Sequence, residues 1–283
     1  LQGRADWSGQ GLQTSLDLKL ENVSIANNTA GAACLTGTIR LKGPPFETAE
    51  VEELSMALLN IGLQLGSGEA RYRLQRQQML TIERGEWSFL GGRIITAGHF
   101  DMDATEHPFL LAADAISLKE LFKMLALEGL AGEGVLGGHL PILINEQRIE
   151  IQDGILASKR GGGWIRYRPP EGAPGKLAGL GISELIDFEA ALRNFRFERL
   201  VLQINGDLRG SLTVKITLDG ANPDYRDGQP YQLNLNLEGP LYRMYKAEKT
   251  AFSTPARRIE ERVLEKIGDL EVGLDGRVAG HRS

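Results

Sequence analysis

The chain has 283 residues, of which 42% are hydrophobic and 24% charged, a composition that excludes an intrinsically disordered protein. A net charge of −5 with scattered Lys and Arg argues against nucleic acid as a partner. The single cysteine, Cys34, excludes an intrachain disulfide, and the longest apolar run, residues 54–65, is too short for a membrane span.

The first half of the chain predicts β-strands in close succession. Leu16, Leu18 and Leu20 alternate with polar residues, which is the period of a half-buried strand. Further strands are predicted near residues 35–42, 54–60, 69–75, 79–83, 86–90, 93–103 and 109–114. The 35 glycines exceed average usage and predict many turns and bulges between and within these strands.

One strand–turn–strand unit occurs twice at a distance of 69 residues. The segment Gly68–Gly85 matches Gly137–Gly154 at five of 18 positions. The identical pairs are Gly68/Gly137, Leu74/Leu143, Gln78/Gln147, Ile82/Ile151 and Gly85/Gly154. A repeated unit of this kind is typical of β structure that grows by stacking.

A short helix separates the two copies of this unit. Ser117 and Glu120 form a capping box that predicts a helix near residues 117–127. Strands follow near residues 134–144, 148–152, 154–159 and 163–168, with the end of a hairpin predicted at Gly161–Gly163. The segment 168–175 is predicted as an inserted loop.

The last third predicts two helices and one strand pair. Ser183 precedes an amphipathic helix near residues 183–194, and a second helix begins near Pro255. Between them, alternating strands near 212–218 and 233–237 are joined by a long polar loop and predict an antiparallel pair. We therefore expect one continuous β segment over residues 1–252, with repeats near 54–95 and 123–165, and a C-terminal helix and tail over 253–283.

No constellation of residues predicts catalysis, a cofactor or a metal. Gly132-x-Gly134-x-x-Gly137 has the letters of a dinucleotide fingerprint, but a helix precedes it and a strand follows, which reverses the required context. The nucleophile elbow, the HExxH motif and the Walker loop are absent. We therefore predict a protein that is not an enzyme.

Two groups of polar residues contain the ligand types of a metal site. His99, Asp101 and Asp103 share one face of a predicted strand, and a solvated face is the favoured interpretation because no second ligand cluster accompanies them. The aspartates Asp219, Asp224 and Asp227 fit no calcium-binding spacing, and a polar hairpin loop is the favoured interpretation.

Two stretches resemble a known family. The segment 60–94 resembles the repeat of AsmA-like proteins, which are bridge-type lipid transporters of Gram-negative envelopes. The segment 188–241 is similar to the C-terminal part of the YdbH branch of that family. The matching features are Ala191-Leu192-x-Asn194-Phe195, Gly206-Asp207-Leu208 and the strands that end in Glu238-Gly239-Pro240-Leu241.

This resemblance implies a mainly β fold, an elongated and strongly curved antiparallel sheet with a few short amphipathic helices, whose concave face is a groove for phospholipid acyl chains. It also implies a periplasmic location, an upstream inner-membrane anchor and a small outer-membrane lipoprotein that adds strands at the C-terminal end. Because the sequence begins at Leu1 and not at Met, we expect it to be a piece of a longer protein. Dicarboxylate transport ranks below these functions, because no arginine constellation for a carboxylate is present.

The alternating strands supply the candidate lining of such a groove. The lining is predicted to comprise Leu212, Val214, Ile216, Leu218, Leu233, Leu235, Leu237, Ile82, Ile94, Leu143 and Ile151. The alternative is that the same residues form the closed core of an envelope scaffold or interaction module, and the pattern alone leaves both open.

Overall fold

Alternation of apolar and polar residues places most of the described chain in β-strands, as expected. The computed structural model describes residues 2–8, 11–26, 30–43, 45–75, 78–125, 129–168 and 190–239, with side chains from residue 14 onward, all within one compact unit, Leu1–Tyr242. The strands are β1 Gln2–Ser8, β2 Gly11–Ala26, β3 Gly31–Gly43, β4 Glu47–Thr48, β5 Glu52–Met56, β6 Leu58–Asn60, β7 Gln64–Leu65, β8 Gly68–Gln75, β9 Met79–Phe89, β10 Gly92–Asp101, β11 His107–Ser117, β12 Leu130–Ile144, β13 Ile149–Tyr167, β14 Phe195–Asp207, β15 Leu212–Ala221 and β16 Tyr231–Gly239.

Helical structure in the described residues is short. The helix α1 spans Leu118–Met124, and the hydroxyl of its N-cap Ser117 accepts a hydrogen bond from the Glu120 N–H, which confirms the predicted capping box. Residues 190–192 are helical, and the rest of the predicted helix over 183–194 lies outside the described residues. A single 3₁₀ turn covers Arg226–Gly228. The predicted helix and tail after residue 253 also lie outside the described residues.

All sixteen strands belong to one antiparallel sheet, which confirms the predicted fold class. The main path runs β1-β2-β3-β5-β8-β9-β10-β11-β12-β13-β14-β15-β16, and the short strands β4, β6 and β7 pair beside it. Among the described residues, β1 and β16 each pair with one neighbour and form the two ends of the path. The sheet is therefore a meander in which neighbours in sequence are neighbours in space.

Both copies of the sequence repeat form hairpins, and both carry the same bulge. In the first copy two exposed residues separate Ile82 from Gly85, and in the second copy two exposed residues separate Ile151 from Gly154. A bulge adds a residue to one strand and bends it, so the repeat specifies curvature as well as pairing. Gly85 has a further reason to be glycine, because a Cβ built there would lie 2.3 Å from the Trp87 ring.

Two sequence predictions of strands were wrong. The structure has one long strand, β13, where three segments and a hairpin end at Gly161–Gly163 were expected. Gly161 and Gly162 have positive φ angles. The pairing of β13 with β14 is interrupted between Ala157 and Gly163, so these glycines lie in a bulge within one strand and not at a hairpin end. The strand β14 was not predicted at all, because its own bulge after Phe197 interrupts the alternation.

One face of the sheet, which we call the inner face, carries the core. Ile94 and Leu136 are 0% exposed on this face, although the sheet is a single layer. Such burial requires that other parts of the fold lie over this face. The helix α1 covers part of it, because a Cβ built on Gly132 of β12 would lie 2.8 Å from the Phe122 ring, and the twist of successive strands coils another part of the sheet over it. A contact across the inner face supports this geometry: a Cβ built on Gly62, next to β6, would lie 3.1 Å from Ile149 at the start of β13.

Candidate functional site

The last three strands of the sheet present three continuous rows of aliphatic side chains on the inner face. Directly paired residues share a face and lie roughly 4.8 Å apart across strands. We call these rows the C-terminal ladder, and its members are Leu200–Leu218–Leu233, Leu202–Ile216–Leu235 and Ile204–Val214–Leu237. The ladder is therefore an apolar surface that crosses three strands without a polar interruption.

The opposite face of the same strands is polar. Thr217 donates a hydrogen bond to Asn234 Oδ1 at 3.1 Å, and Gln232 donates to Asp219 at 2.7 Å. Lys215 and Asn236 pair directly on this face. The two faces thus differ completely in chemistry, and residues one position apart supply matched controls for any experiment on the ladder.

A second accessible apolar stripe lies near the other end of the sheet. Leu16 pairs with Leu41 and Leu18 with Ile39, and all four are partly exposed. Their neighbours Asp17 and Lys19 are exposed on the other face. The N-terminal strands therefore repeat the amphipathic pattern of the ladder.

Between these two stripes the inner face is closed. The closed stretch consists of inner-face residues of β10 to β13, and Ile142 and Ile151 within it are only 2% and 3% exposed. Phe100 and Phe109 stack beside them with ring centroids 4.1 Å apart. The interior of this part of the sheet is therefore a packed core, and the apolar face is more accessible toward its two ends.

The structure places ten of the eleven predicted lining residues on the inner face. Leu212 and Leu218 are buried there, whereas Val214, Ile216, Leu233, Leu235 and Leu237 are partly exposed. Ile94 and Ile151 belong to the closed stretch, and Ile82, paired with Tyr72, is partly exposed beside it.

Leu143 is the exception and must be corrected. It lies in a row with Pro108, Glu150 and Asp207 on the outer face, opposite to Ile142. The cause is the register of the hairpin: Leu143 pairs with Glu150 and Ile142 with Ile151, so Leu140 and Ile142 of β12 face inward and Leu143 faces outward. Leu143 therefore does not line the apolar face.

Sequence reasoning missed the contribution of β14 to the site. Leu202 and Ile204 form the first column of two ladder rows. The signal was present in the alternation of Leu200, Leu202 and Ile204 with Val201 and Gln203, but it begins only after the bulge.

A buried polar cluster covers the inner face at one end of the ladder. Asn222 is 0% exposed, and its Nδ2 donates 3.0 Å hydrogen bonds to the carbonyls of Ala190 and Ala191, while its Oδ1 accepts from the Asp224 N–H at 2.9 Å. Tyr231 donates its hydroxyl hydrogen to the Ala191 carbonyl at 3.2 Å. Burial raises the pKa of Tyr231 to about 12. The cluster ties the helical residues 190–192 to the loop before β16.

Replacing Asn222 by alanine is expected to lower the free energy of unfolding by about 1–3 kcal/mol, because buried carbonyls and an amide lose their partner. Urea unfolding followed by circular dichroism measures this loss. The matched control is Asn234→Ala on the exposed polar face, for which we expect a change of less than about 0.5 kcal/mol. Equal losses in the two variants would show that the buried bonds contribute nothing specific.

The outer face carries a chain of ion pairs across four strands. Arg93 contacts Asp114 at 2.9 Å and Glu86 at 3.2 Å, and Lys159 reaches Asp114 at 2.5 Å. Lys159 passes over Gly137 on the intervening strand. The hydrogen bond from Lys159, together with that from Arg93, lowers the pKa of Asp114, and both carboxylates raise the pKa of Arg93. Because these ion pairs lie on a solvated surface, each of them contributes little to stability.

The polar groups considered as metal sites are engaged in local bonds. His99 Nδ1 lies 2.8 Å from the Thr81 hydroxyl, and Asp101 accepts a hydrogen bond from the Asp103 N–H at 3.0 Å. Within the described ranges no group of three or more His, Cys, Asp or Glu residues could hold a metal ion. The glycine motif at 132–137 lies inside β12, so it does not form the turn from a strand into a helix that a dinucleotide site requires.

Comparison with known proteins gives one match. A family model described as "YdbH-like: Intermembrane phospholipid transport protein YdbH" matches residues 1–264, a range that includes every described residue. Searches of the curated proteins and of the solved structures found no match. Within the described part of the chain, no helix is both long enough and apolar enough to cross a bilayer.

Proposed function

The chain belongs to the YdbH-like family of intermembrane phospholipid transport proteins, and on that premise we propose that it is a periplasmic segment of a bridge that conducts phospholipids between the inner and outer membranes. The C-terminal ladder is the observation that carries the proposal. Its rows hold acyl chains on one side of the sheet while the polar face meets water.

The chemistry of the ladder suits a track and not a specific pocket. Each methylene that leaves water is stabilised by about 0.8 kcal/mol, whatever its position along the chain. Because neighbouring rows are all aliphatic, an acyl chain that moves from one row to the next exchanges equivalent contacts. Phospholipid therefore slides with a low barrier, and the work is done by partition between membranes without catalysis by this chain.

The ends of the segment connect to partners in the same proposal. An inner-membrane anchor lies upstream of Leu1, and a small outer-membrane lipoprotein adds strands at the C-terminal end. The last described strand, β16, pairs only with β15 among the described residues. The backbone N–H and C=O groups of its other edge can form the hydrogen bonds that an added strand requires. Addition of strands would extend the apolar rows by the same alternation.

Photoreactive phospholipid tests the proposal without any substitution in the protein. The 283-residue chain is mixed with vesicles that contain a phosphatidylethanolamine with a diazirine in its acyl chain, irradiated and digested for mass spectrometry. We expect adducts on Val214, Ile216 and Leu235, and none on the neighbouring Lys215 and Asn234 of the polar face.

The alternative function makes the opposite prediction in the same experiment. A scaffold or interaction module with a closed core is favoured by the closed stretch around Ile142 and Ile151. Such a protein would give no adducts on the ladder, or adducts spread equally over both faces. Either result would refute the proposed lipid track.

A further inference from the structure

A small apolar hairpin reaches across the inner face from the N-terminal half of the sheet. We call it the gate hairpin, and it consists of residues 58–65, with β6, β7 and a turn of Ile61, Gly62 and Leu63 between them. Leu65 is 0% exposed, and Ile61 and Leu63 pack against the core cluster. The hairpin therefore buries its side chains inside the coil of the sheet.

The tip of the gate hairpin touches strands that are distant along the sheet. A Cβ built on Gly62 would lie 3.1 Å from Ile149 Cδ1 and 3.3 Å from Leu208 Cβ. Ile149 begins β13 and Leu208 follows β14, whereas the hairpin pairs with β3. Several strands separate these elements on the main path, so the tip spans the inner face from β3 to the ends of β13 and β14.

The bonds of the tip are local, and its hold on the far wall is apolar. The Gly62 N–H donates to Asn60 Oδ1 at 3.0 Å, and the Ile61 N–H donates to the Leu63 carbonyl at 3.1 Å. On the far wall, the Leu208 N–H donates to the Ile149 carbonyl at 2.8 Å. The tip can therefore leave the wall without breaking a backbone hydrogen bond on either side.

The backbone conformation of the tip requires glycine at position 62. Gly62 has a φ of +81°, in the left-handed region that favours glycine, and the wall atoms leave little space for a side chain. A glycine at this position lets the turn approach Ile149 and Leu208 closely. The hairpin tip and the wall that it contacts are therefore complementary in shape.

We infer that the gate hairpin is a movable closure of the lipid track, which seats on Ile149 and Leu208 when the interior is empty and lifts when acyl chains enter the closed stretch. This inference rests on the proposed function, since it explains how a protein with an accessible ladder and a packed middle conducts lipid. As the hairpin leaves, contacts between acyl chains and the wall replace the contacts between the hairpin and the wall. Water therefore does not enter the interior during this exchange.

A reversible lock tests the gate. The variant Gly62→Cys/Leu208→Cys, made with Cys34→Ser, places two Cβ atoms about 3.3 Å apart, close to the separation of a disulfide. The readout is the diazirine phospholipid experiment, scored separately for the closed stretch, on peptides that carry Ile151, and for the ladder, on peptides that carry Ile216. We expect oxidation to lower adducts on the closed stretch by about tenfold and reduction to restore them, with ladder adducts unchanged.

The matched control carries a disulfide between two neighbouring strands that does not cross the inner face. Lys215→Cys/Asn236→Cys joins a directly paired position on the polar face, and oxidation there should alter neither set of adducts. Equal adducts on the closed stretch in the locked and reduced gate variants would overturn the gate and leave the track in place. Ladder adducts without any on the closed stretch in the reduced protein would also overturn it. Loss of adducts from the ladder in the reduced protein would overturn both proposals.

A measurement on the unaltered chain guards against a folding defect in the variant. Amide hydrogen exchange is followed for residues 58–65 with and without phospholipid vesicles. We expect exchange of Leu65 and its neighbours to become faster with lipid, because a hairpin that has left its seat loses packing and opens its own pairs, such as Leu59 with Leu65, more readily, while the amides of β13 are unchanged. Unchanged exchange of the hairpin in protein that carries ladder adducts would contradict the gate.

Discussion

Replacement of Leu235 by aspartate is expected to remove phospholipid from the C-terminal ladder. Leu235 lies in the middle row, paired with Ile216, so the carboxylate would stand where acyl chains pass. An aspartate in a hydrocarbon environment costs about 3 kcal/mol, which corresponds to roughly 100-fold weaker occupancy. The measurement is the yield of diazirine phospholipid adducts on Val214 and Ile216.

The control for this substitution is the neighbouring residue on the polar face. Asn236→Asp adds the same charge one position away, on the face that meets water, and should leave the adduct yield unchanged. Both variants should have the same circular dichroism spectrum, since Leu235 is partly exposed and Asn236 exposed. Retention of ladder adducts in Leu235→Asp would mean that acyl chains do not follow this row.

Truncation of Leu136 and of Leu237 to alanine is expected to have very different effects on stability. Leu136 is 0% exposed in the packed part of the inner face, so Leu136→Ala should lower the free energy of unfolding by about 2–5 kcal/mol. Leu237 is partly exposed at the end of the ladder, and Leu237→Ala should cost less than about 1 kcal/mol. Urea unfolding of both variants gives the comparison.

This pair of variants measures which part of the inner face is core and which is free for lipid. Leu110→Ala provides the baseline, because Leu110 is 56% exposed on the other face and should contribute little. Similar large losses for Leu136→Ala and Leu237→Ala would show that the ladder is ordinary core. That outcome would favour the scaffold over the lipid track.

The sequence predicted the fold class, the capping box of α1 and the pairing of the last two strands, because these depend on local alternation and local bonds. It failed where bulges interrupt the alternation. β14 went unrecognised for this reason. Leu143 was predicted to line the groove and lies on the outer face, because the position at which a hairpin turns decides which residues of its first strand point inward. A bulge moves every later side chain to the other face, and nothing in the composition of the strand announces it.

The two copies of the repeat show both what the sequence predicts correctly and where it fails. Ile82 and Ile151 lie on the inner face in both copies, as do Gly85 and Gly154. The identical residues Leu74 and Leu143 lie on opposite faces, because the first hairpin pairs Gln75 with Met79 and the second pairs Ile144 with Ile149, which displaces the register of the first strand by one residue. The contact of Gly62 with Leu208 could not be predicted, since it depends on the twist accumulated over all the strands between them.

The bulge shared by the two hairpins has a consequence for how such proteins change length during evolution. Each hairpin that carries Ile-x-x-Gly brings its own bend, as at Ile82–Gly85 and Ile151–Gly154. A gene duplication that inserts one more hairpin therefore adds span and curvature in a single event, and the inherited glycine keeps the new strand compatible with its neighbours. In the bridge that we propose, the distance covered is then counted in whole hairpins, and selection for a wider or narrower gap between two membranes acts on their number.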